Sequence, residues 1–525
     1  MTVTDQPVHH PVDLDGMLSE AGSIYACLYP NRVVTLILHD VVKNYWGQSF
    51  ELDSAAPELG RMTLQPTIGP VAGEIITVRL APPAPAETGI RADPPWAPPR
   101  MLASVFVRSP LAYEGIRHKV EVWRKWHARK RRLAHDDLPD AASVSKFPAG
   151  RDLPPAVLIG MHWLEVGGAE KMGFMAIDWA LAAGLRVFVV SGTASAQRLA
   201  SRLPDHPDVI FLRPDLYLQP ADWPRYLANL ISTQNIRLTH NHHCTPLYNA
   251  LPYLKLATPW VNHIDSTHIV ETINGGYPQM SALYAPYIDV HHVISKALVT
   301  YLRDDCDIIG QIRLGRMLHD DEETSKILPN MTMVAGQAEL HVVFVGRLSY
   351  QKRPVVVVEM LRRVARWASC NGVILRATMV GEGPFADTVT ALLERYGLTN
   401  LVTRAQANSD VPAVLRSADI LLVPSSNEGL ALVCYEAIEQ GCIPLSTAVG
   451  AHGEIIPPDL LVPVAPGSAV RRTVQILDRL WRDPSFMAAQ QTALHALYAS
   501  IRDDPTAYDV LMPIYKAVAD GRDIT

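Results

Sequence analysis

The sequence predicts an α/β fold of two doubly wound parallel sheets, preceded by a small β-rich or mixed domain. Two observations carry this reading. From Ala156 onward, short apolar runs alternate with helical patterns, as β-α-β units require. The alternation restarts at Leu340, so the series occurs twice. At 525 residues the chain is also too long for one ordinary core, since domains cluster at roughly 100–200 residues.

Residues 1–105 hold VVTLILHD and EIITVRLA, β-branched runs separated by glycine- and proline-containing turns, and end in a proline-rich linker at 81–99. Residues 106–150 read as a basic helical connector. Within them Tyr113 to His135 carries eight Lys or Arg residues, with Ile116, Val120 and Trp123 at helical spacing. Such a helix suits an anionic membrane surface, and equally a solvated helix leaning on the next domain. In residues 151–330 the strands AVLIGM, RVFVVSG, DVIFLRP, IRLTHNHH, PWVNHID and VHHVIS follow one another, with a helix at Glu170 to Ala183. Residues 331–485 supply LHVVFVGR, ILRATMVG, LVTRAQ, DILLVPS and CIPLST, with helices near 354–368, 385–396, 411–417 and 431–440. Residues 486–525 close the chain as helices, the last at 506–519.

Composition narrows the function. Hydrophobic residues at 48% and charged residues at 19% are ordinary globular usage, which excludes wholesale disorder and a membrane-embedded chain. A formal charge of -6 gives no general pull on phosphate backbones, so no nucleic acid is expected as a partner. The six cysteines form no CxxC pair, and the first residues lack a basic start followed by an apolar core. A cytoplasmic chain is therefore expected, peripheral at the inner membrane face if the basic helix binds lipid.

Open α/β sheets bind ligands at the carboxyl ends of strands, so those turns come first. The first strand ends in GMHWLEVGGAEK, which puts Gly167 and Gly168 directly before a helix. Such a turn can close over a phosphate or sugar, and is also an ordinary strand-to-helix turn; it is neither GxGxxG nor a Walker motif. The first strand of the second series ends in VGRLSYQKRP, where Gly346 precedes Arg347 and Lys352. A planar guanidinium and a mobile ammonium together suit a diphosphate. SSNEGLALVCYEAIEQG then places Glu428 before a helix and Glu436 inside it, with Gly441 as the stop. A carboxylate accepts two hydrogen bonds from a vicinal diol, so this pair could hold a ribose on one side and a hexose on the other.

GGAE, GRL with a following lysine, GEGP, and E-x7-E followed by GCIP together resemble the family 4 retaining glycosyltransferases of GT-B fold, in the same order and over about residues 156–520. The resemblance implies two facing Rossmann-like domains, 151–330 for the acceptor and 331–485 for a nucleotide-sugar donor. It implies that Arg347 and Lys352 bind the donor diphosphate, Glu428 the sugar hydroxyls and Glu436 the ribose. Gly429 and Leu430 would offer backbone amides, Gly346 and Gly168 would belong to the glycine-bearing loops, and His263 would end a strand near the transferring sugar. HNHH at 240–243 competes with His263 for that role. Ala431 stands where the family usually has glycine, and the segment 303–325 is long and acidic.

The implied reaction is metal-independent, retaining hexosyl transfer, with no cofactor beyond the nucleotide-sugar substrate. The acceptor would be a glycan or lipid-linked sugar in the synthesis of cell-surface polysaccharide or lipopolysaccharide. The alternative is a catalytically inactive GT-B protein that binds a nucleotide sugar or glycan. The sequence also implies that the donor site is independent of residues 1–135.

Overall fold

The structure is a computed structural model that describes residues 13–40, 57–67, 73–81, 95–128, 152–165, 168–269, 276–317, 328–406, 409–430 and 432–524. Gly167, Ala431, most of the proline-rich linker, the end of the basic segment after Ala128 and residues 318–325 of the acidic segment lie outside the described residues.

Three sheets are present among the described residues. The first is small and mixed, in the order β2-β1-β3, from β1 (Val34–His39), β2 (Glu58–Leu64, antiparallel to β1) and β3 (Ile76–Leu80, parallel to β1). The second comprises β4 (Ala156–Met161), β5 (Arg186–Ser191), β6 (Val209–Leu212), β7 (Ile236–His242), β8 (Asn262–Thr267), β9 (Val290–Val293) and β10 (Gln311–Leu314). Its order is β10-β9-β8-β7-β4-β5-β6, with parallel pairing throughout. The third comprises β11 (Glu339–Val345), β12 (Ile374–Val380), β13 (Val402–Ala405), β14 (Ile420–Val423), β15 (Ile443–Thr447) and β16 (Leu461–Val462), in the parallel order β13-β12-β11-β14-β15-β16.

The central strands are continuous apolar runs because helices cover both faces, which is why AVLIGM and DILLVPS do not alternate. In each parallel sheet the chain starts in the middle, builds one side, then returns to build the other. The switch therefore lies between β4 and β7 in one sheet and between β11 and β14 in the other. Such a switch leaves a crevice at the carboxyl ends where adjacent connections part.

The segment before Ala156 divides between the two parallel sheets. Leu18, Ile24, Leu36 and Leu38 share one core with Leu158, Phe188, Trp223 and Leu227. Tyr25 donates to the Tyr217 carbonyl at 2.7 Å, and Asn229 donates to the Cys27 carbonyl at 2.9 Å. The described residues between Asp13 and Leu80 thus build onto the β4–β10 sheet. From Pro95 the chain is instead on the β11–β16 side, where the helix Pro110–Ala128 packs against the helices Pro354–Asn371 and Pro466–Arg482.

That helix is turned in a way its composition did not predict. Tyr113, Glu114 and Arg117 are buried, whereas Ile116, Val120 and Trp123 are 39%, 42% and 60% exposed, with Lys119 and Arg124 exposed among them. Glu114 and Glu121 face inward toward arginine, leaving an outer surface that is apolar and cationic. No helix among the described residues is long and apolar enough to cross a membrane.

At the other end, the helix Ala507–Ala519 starts on a Thr506/Asp509 capping box and returns to the β4–β10 sheet, where the Tyr515 hydroxyl lies 2.6 Å from His240 Nδ1. Buried Arg316 pairs with Glu454 at 2.5 Å and Asp504 at 2.7 Å, tying the two parallel-sheet units together.

Candidate active site

The connection leaving β11 and the one leaving β14 meet at the switch of the third sheet. Gly346 ends β11 with φ 154°, a conformation side-chain-bearing residues rarely adopt, and the chain turns there into Arg347–Arg353. Gln351 laces this loop to the other: its amide donates to the Asn427 carbonyl at 2.8 Å, and its own carbonyl accepts from Ser426 N–H at 2.8 Å. Lys352 Nζ then donates to Glu428 Oε1 at 2.5 Å. Arg347 is exposed, Lys352 half-buried and Glu428 buried, so the loop presents its cations outward from an anchored carboxylate.

Glu428 is buried, which alone would raise its carboxyl. The charge of Lys352, that of His452 and the hydrogen bond from Lys352 outweigh burial and hold the group below its ordinary value. His452, which interacts electrostatically with it, has Nδ1 2.9 Å from the Thr447 carbonyl and a pKa lowered by burial. Glu436 lies half-buried within the helix Leu432–Glu439, which Gly441 terminates at φ 78°. Leu430 is buried beside Gly429.

Gly429 is where the two parallel-sheet units touch. A Cβ on it would collide with the carbonyl of His268, the residue immediately after β8. Only hydrogen at this position lets the Glu428 loop come so close to the opposite sheet.

That contact corrects the assignment of the strand-end histidine. His263 is the second residue of β8, not its last, because the strand runs on through Ser266 and Thr267, whose polarity reads as a turn. At roughly 3.3 Å per residue it stands more than 10 Å from the carboxyl edge. It is buried, with Nδ1 2.7 Å from the Thr239 hydroxyl. The structure therefore does not bring His263 to the cleft.

His268 is there instead, together with His242 and His243 of the competing HNHH run, and with His162 and Tyr277, which the motifs do not single out. His268 Nε2 lies 3.1 Å from His242 Nδ1, and His243 stacks on the Tyr277 ring with centroids 4.1 Å apart. The Tyr277 hydroxyl is 3.0 Å from Nδ1 of His162, the first residue after β4. Burial lowers the pKa of His162 to about 4 and that of His243 to about 3, so these imidazoles are neutral at pH 7. HNHH and GMHW carried the signal, a histidine at a strand's carboxyl end on each side of the β4/β7 switch. Gly168 opens the helix Gly168–Ala182 next to them, and Glu170 in its first turn accepts from Trp163 at 2.8 Å. No cluster of three or more metal-ligating side chains is present among the described residues.

Residues 335–484 match the family model "Glycosyl transferases group 1". Over 115 residues the chain is 30% identical to the D-inositol 3-phosphate glycosyltransferase of Segniliparus rotundus, a match spanning 22% of this chain and 26% of that protein. Over 156 residues it is 28% identical to the 2-deoxystreptamine glucosyltransferase of Streptomyces kanamyceticus, spanning 29% and 38%. The chain thus covers well under half the length of these relatives. Among solved structures, the sucrose-phosphate synthase of Thermosynechococcus elongatus superposes with a TM-score of 0.50 at 18% identity, covering 68% of this chain and 96% of that one. Anabaena Alr3699/HepE in complex with UDP gives a TM-score of 0.50 at 15% identity, covering 70% and 99%. Both structural likenesses are of fold. Residues 335–484 are thus similar to the glycosyl transferases group 1, in a chain whose two parallel-sheet units have the GT-B fold.

Proposed function

We propose that this protein is a retaining glycosyltransferase that moves a sugar from a nucleotide-diphosphate sugar to a glycan or lipid-linked acceptor of a cell-surface polysaccharide or lipopolysaccharide. The observation that carries the reading is the Lys352–Glu428 pair, set at the β11/β14 switch and reaching the opposite sheet through Gly429. Arg347 and Lys352 take the diphosphate. Glu428 takes the sugar hydroxyls, Glu436 takes the ribose diol, and the Gly429 and Leu430 amides face the phosphate. On the acceptor side, His268 takes the place given to His263, and the helix starting at Gly168 closes the cleft.

In the reaction, the bond from the anomeric carbon to the phosphate oxygen breaks, and a bond to the acceptor oxygen forms on the same face. The acceptor's proton passes to the departing phosphate oxygen, so no separate general base is needed. The work of the protein is positioning, together with the cations that stabilise negative charge as it gathers on the leaving group.

Because Arg347 and Lys352 supply the counter-charge, UDP or GDP is expected to raise the melting temperature with chelator present as much as without it. Loss of all binding on chelation would mean that a metal carries the diphosphate.

The acceptor side of the proposal includes an anionic membrane surface, met by the outward Ile116, Val120, Trp123, Lys119 and Arg124. Trp123→Ser with Val120→Ser is expected to reduce co-sedimentation with vesicles containing phosphatidylglycerol while leaving UDP binding intact. Equal sedimentation at low and at physiological salt would remove the membrane from the proposal.

A further inference from the structure

Residues 95–128 lie outside the family match and outside all three sheets, yet they bear on the two loops that shape the donor side. Trp96 N–H donates to the Pro384 carbonyl at 2.8 Å, and its indole stacks on Phe385 with centroids 4.4 Å apart. Phe106 and Tyr113 close around the same indole edge-on. Phe385 N–H in turn donates to the Leu348 carbonyl at 3.1 Å, and Leu348 N–H to the Glu382 carbonyl at 2.8 Å. The loop at 381–385 is thereby stapled to the loop at 346–353, with Trp96 packed over the staple.

A second contact sits at the far end of the same loop. The Arg117 guanidinium lies 3.5 Å over the Tyr350 ring and donates to Glu114 at 2.9 Å and Glu121 at 3.0 Å. Arg353, next to Lys352, is buried at φ 49° and donates to the Val464 carbonyl at 2.6 Å. Its other terminal nitrogen faces His118 at 3.2 Å and Glu121 at 3.6 Å. Two glutamates of the Pro110–Ala128 helix therefore balance one arginine of that helix and one of the loop. A buried guanidinium without such carboxylates is strongly unfavourable, and a non-glycine residue at positive φ persists only where its surroundings hold it. Without the helix, Arg353 would be freed to leave its site and carry Lys352 with it.

We infer that residues 95–128 are a clamp on the donor loops, and that Arg117 is a positioning residue for Lys352 and Arg347. This rests on the reading of that loop as the diphosphate site. It also reverses the expectation that the donor site is independent of residues 1–135.

The test is isothermal titration of the full chain with inorganic pyrophosphate and with UDP, well below each variant's melting temperature. Arg117→Met is expected to weaken both by about tenfold, with kcat at saturating donor changed by less than about twofold. Arg117→Lys, which keeps the charge between the two glutamates, is expected to recover part of the loss. Trp96→Leu provides an independent route to the same weakening should Arg117→Met not fold. Trp481→Leu, which removes an edge-on contact with Trp367 elsewhere in the same unit, is expected to lower the melting temperature and leave affinity unchanged.

Hydrogen exchange supplies a readout without ligand: amides in 346–353 and 381–385 are expected to exchange faster in Arg117→Met and in Trp96→Leu, but not in Trp481→Leu. Wild-type affinity and exchange in both clamp variants would overturn the inference, as would an equal loss in Trp481→Leu. A wild-type protein that binds neither pyrophosphate nor UDP would overturn the donor reading itself, while exchange still decides whether the clamp exists.

Discussion

Glu428 and Glu436 stand on one loop-helix unit and, in the proposed complex, at opposite ends of one donor, so removing each should fail differently. The ribose is remote from the reacting carbon and is held about equally before and during reaction. Glu436→Ala is therefore expected to raise the donor KM and weaken UDP by about 10–100-fold, the worth of charged hydrogen bonds, with little change in kcat. In the proposed complex Glu428 is the anion beside the sugar, where positive charge grows at the anomeric carbon. Glu428→Ala is expected to lower kcat by about 10²–10³-fold while UDP affinity barely moves. Initial rates and calorimetry on both variants decide the matter. Equal loss of UDP binding in the two would return the pair to a structural role. Both positions were legible in the sequence because a strand-loop-helix junction fixes local spacing. The Lys352–Glu428 contact was not, because its partners are 76 residues apart and meet only through strand order.

At the scale of elements, two loops decide how closely the sheets approach. Gly429 has no room for a side chain against the His268 carbonyl, so Gly429→Ala must push the Glu428 loop off the opposite sheet. The cost is that of overpacking, about 1–3 kcal/mol, and turnover should fall further than stability because donor and acceptor halves separate. Turnover and melting temperature measured together check this; wild-type kcat in the alanine variant would mean that the contact is incidental. The strand β8 teaches the limit of local reading. PWVNHID reads as the strand, which stops at Asp265, short of the polar Ser266 and Thr267; polarity within a sheet is normally a stop signal. Ser266 remains in the strand because its neighbours satisfy it: its hydroxyl meets His240 at 2.7 Å and His292 at 2.8 Å.

Across the whole molecule, the β4–β10 sheet buries neutral histidines on a scale that ties stability to pH. Burial lowers His263 and His292 to about 4, and holds His240, His242 and His268 well below 6.5. Below about pH 6.5 the unfolded chain takes up protons at these positions, while the folded chain does so only at lower pH, near 4 for His263 and His292. Stability is then complete above about pH 7 and declines as pH falls from 6.5 toward 4. Glu170 and Asp215, whose carboxyls burial raises, oppose the trend only at its acid end. Thermal unfolding from pH 8 to pH 4.5 should show a flat melting temperature that then drops steadily; a constant value down to pH 5 would mean the imidazoles are hydrated and protonated in place. One member of the set, His240, meets Tyr515 of the returning terminal helix, so acid should loosen the join between the chain's end and its first parallel sheet.

The sequence by itself determined what depends on neighbours along the chain. Apolar runs and helical periodicity set two parallel sheets, glycines marked the loops, and fixed spacing placed Arg347, Lys352 and Glu428 on strand-end loops and Glu436 in the helix that follows. Tertiary structure decided what depends on direction and on distant partners. It set which histidine reaches the cleft, which face of the Pro110–Ala128 helix turns inward, and which parallel-sheet unit each described part of the first 128 residues packs on. That helix shows the physical reason. Its apolar stripe would bury itself if hydrophobicity alone ruled, but Arg353 needs carboxylates and Tyr350 offers a ring to Arg117, so the charged face docks and the apolar face is left outside.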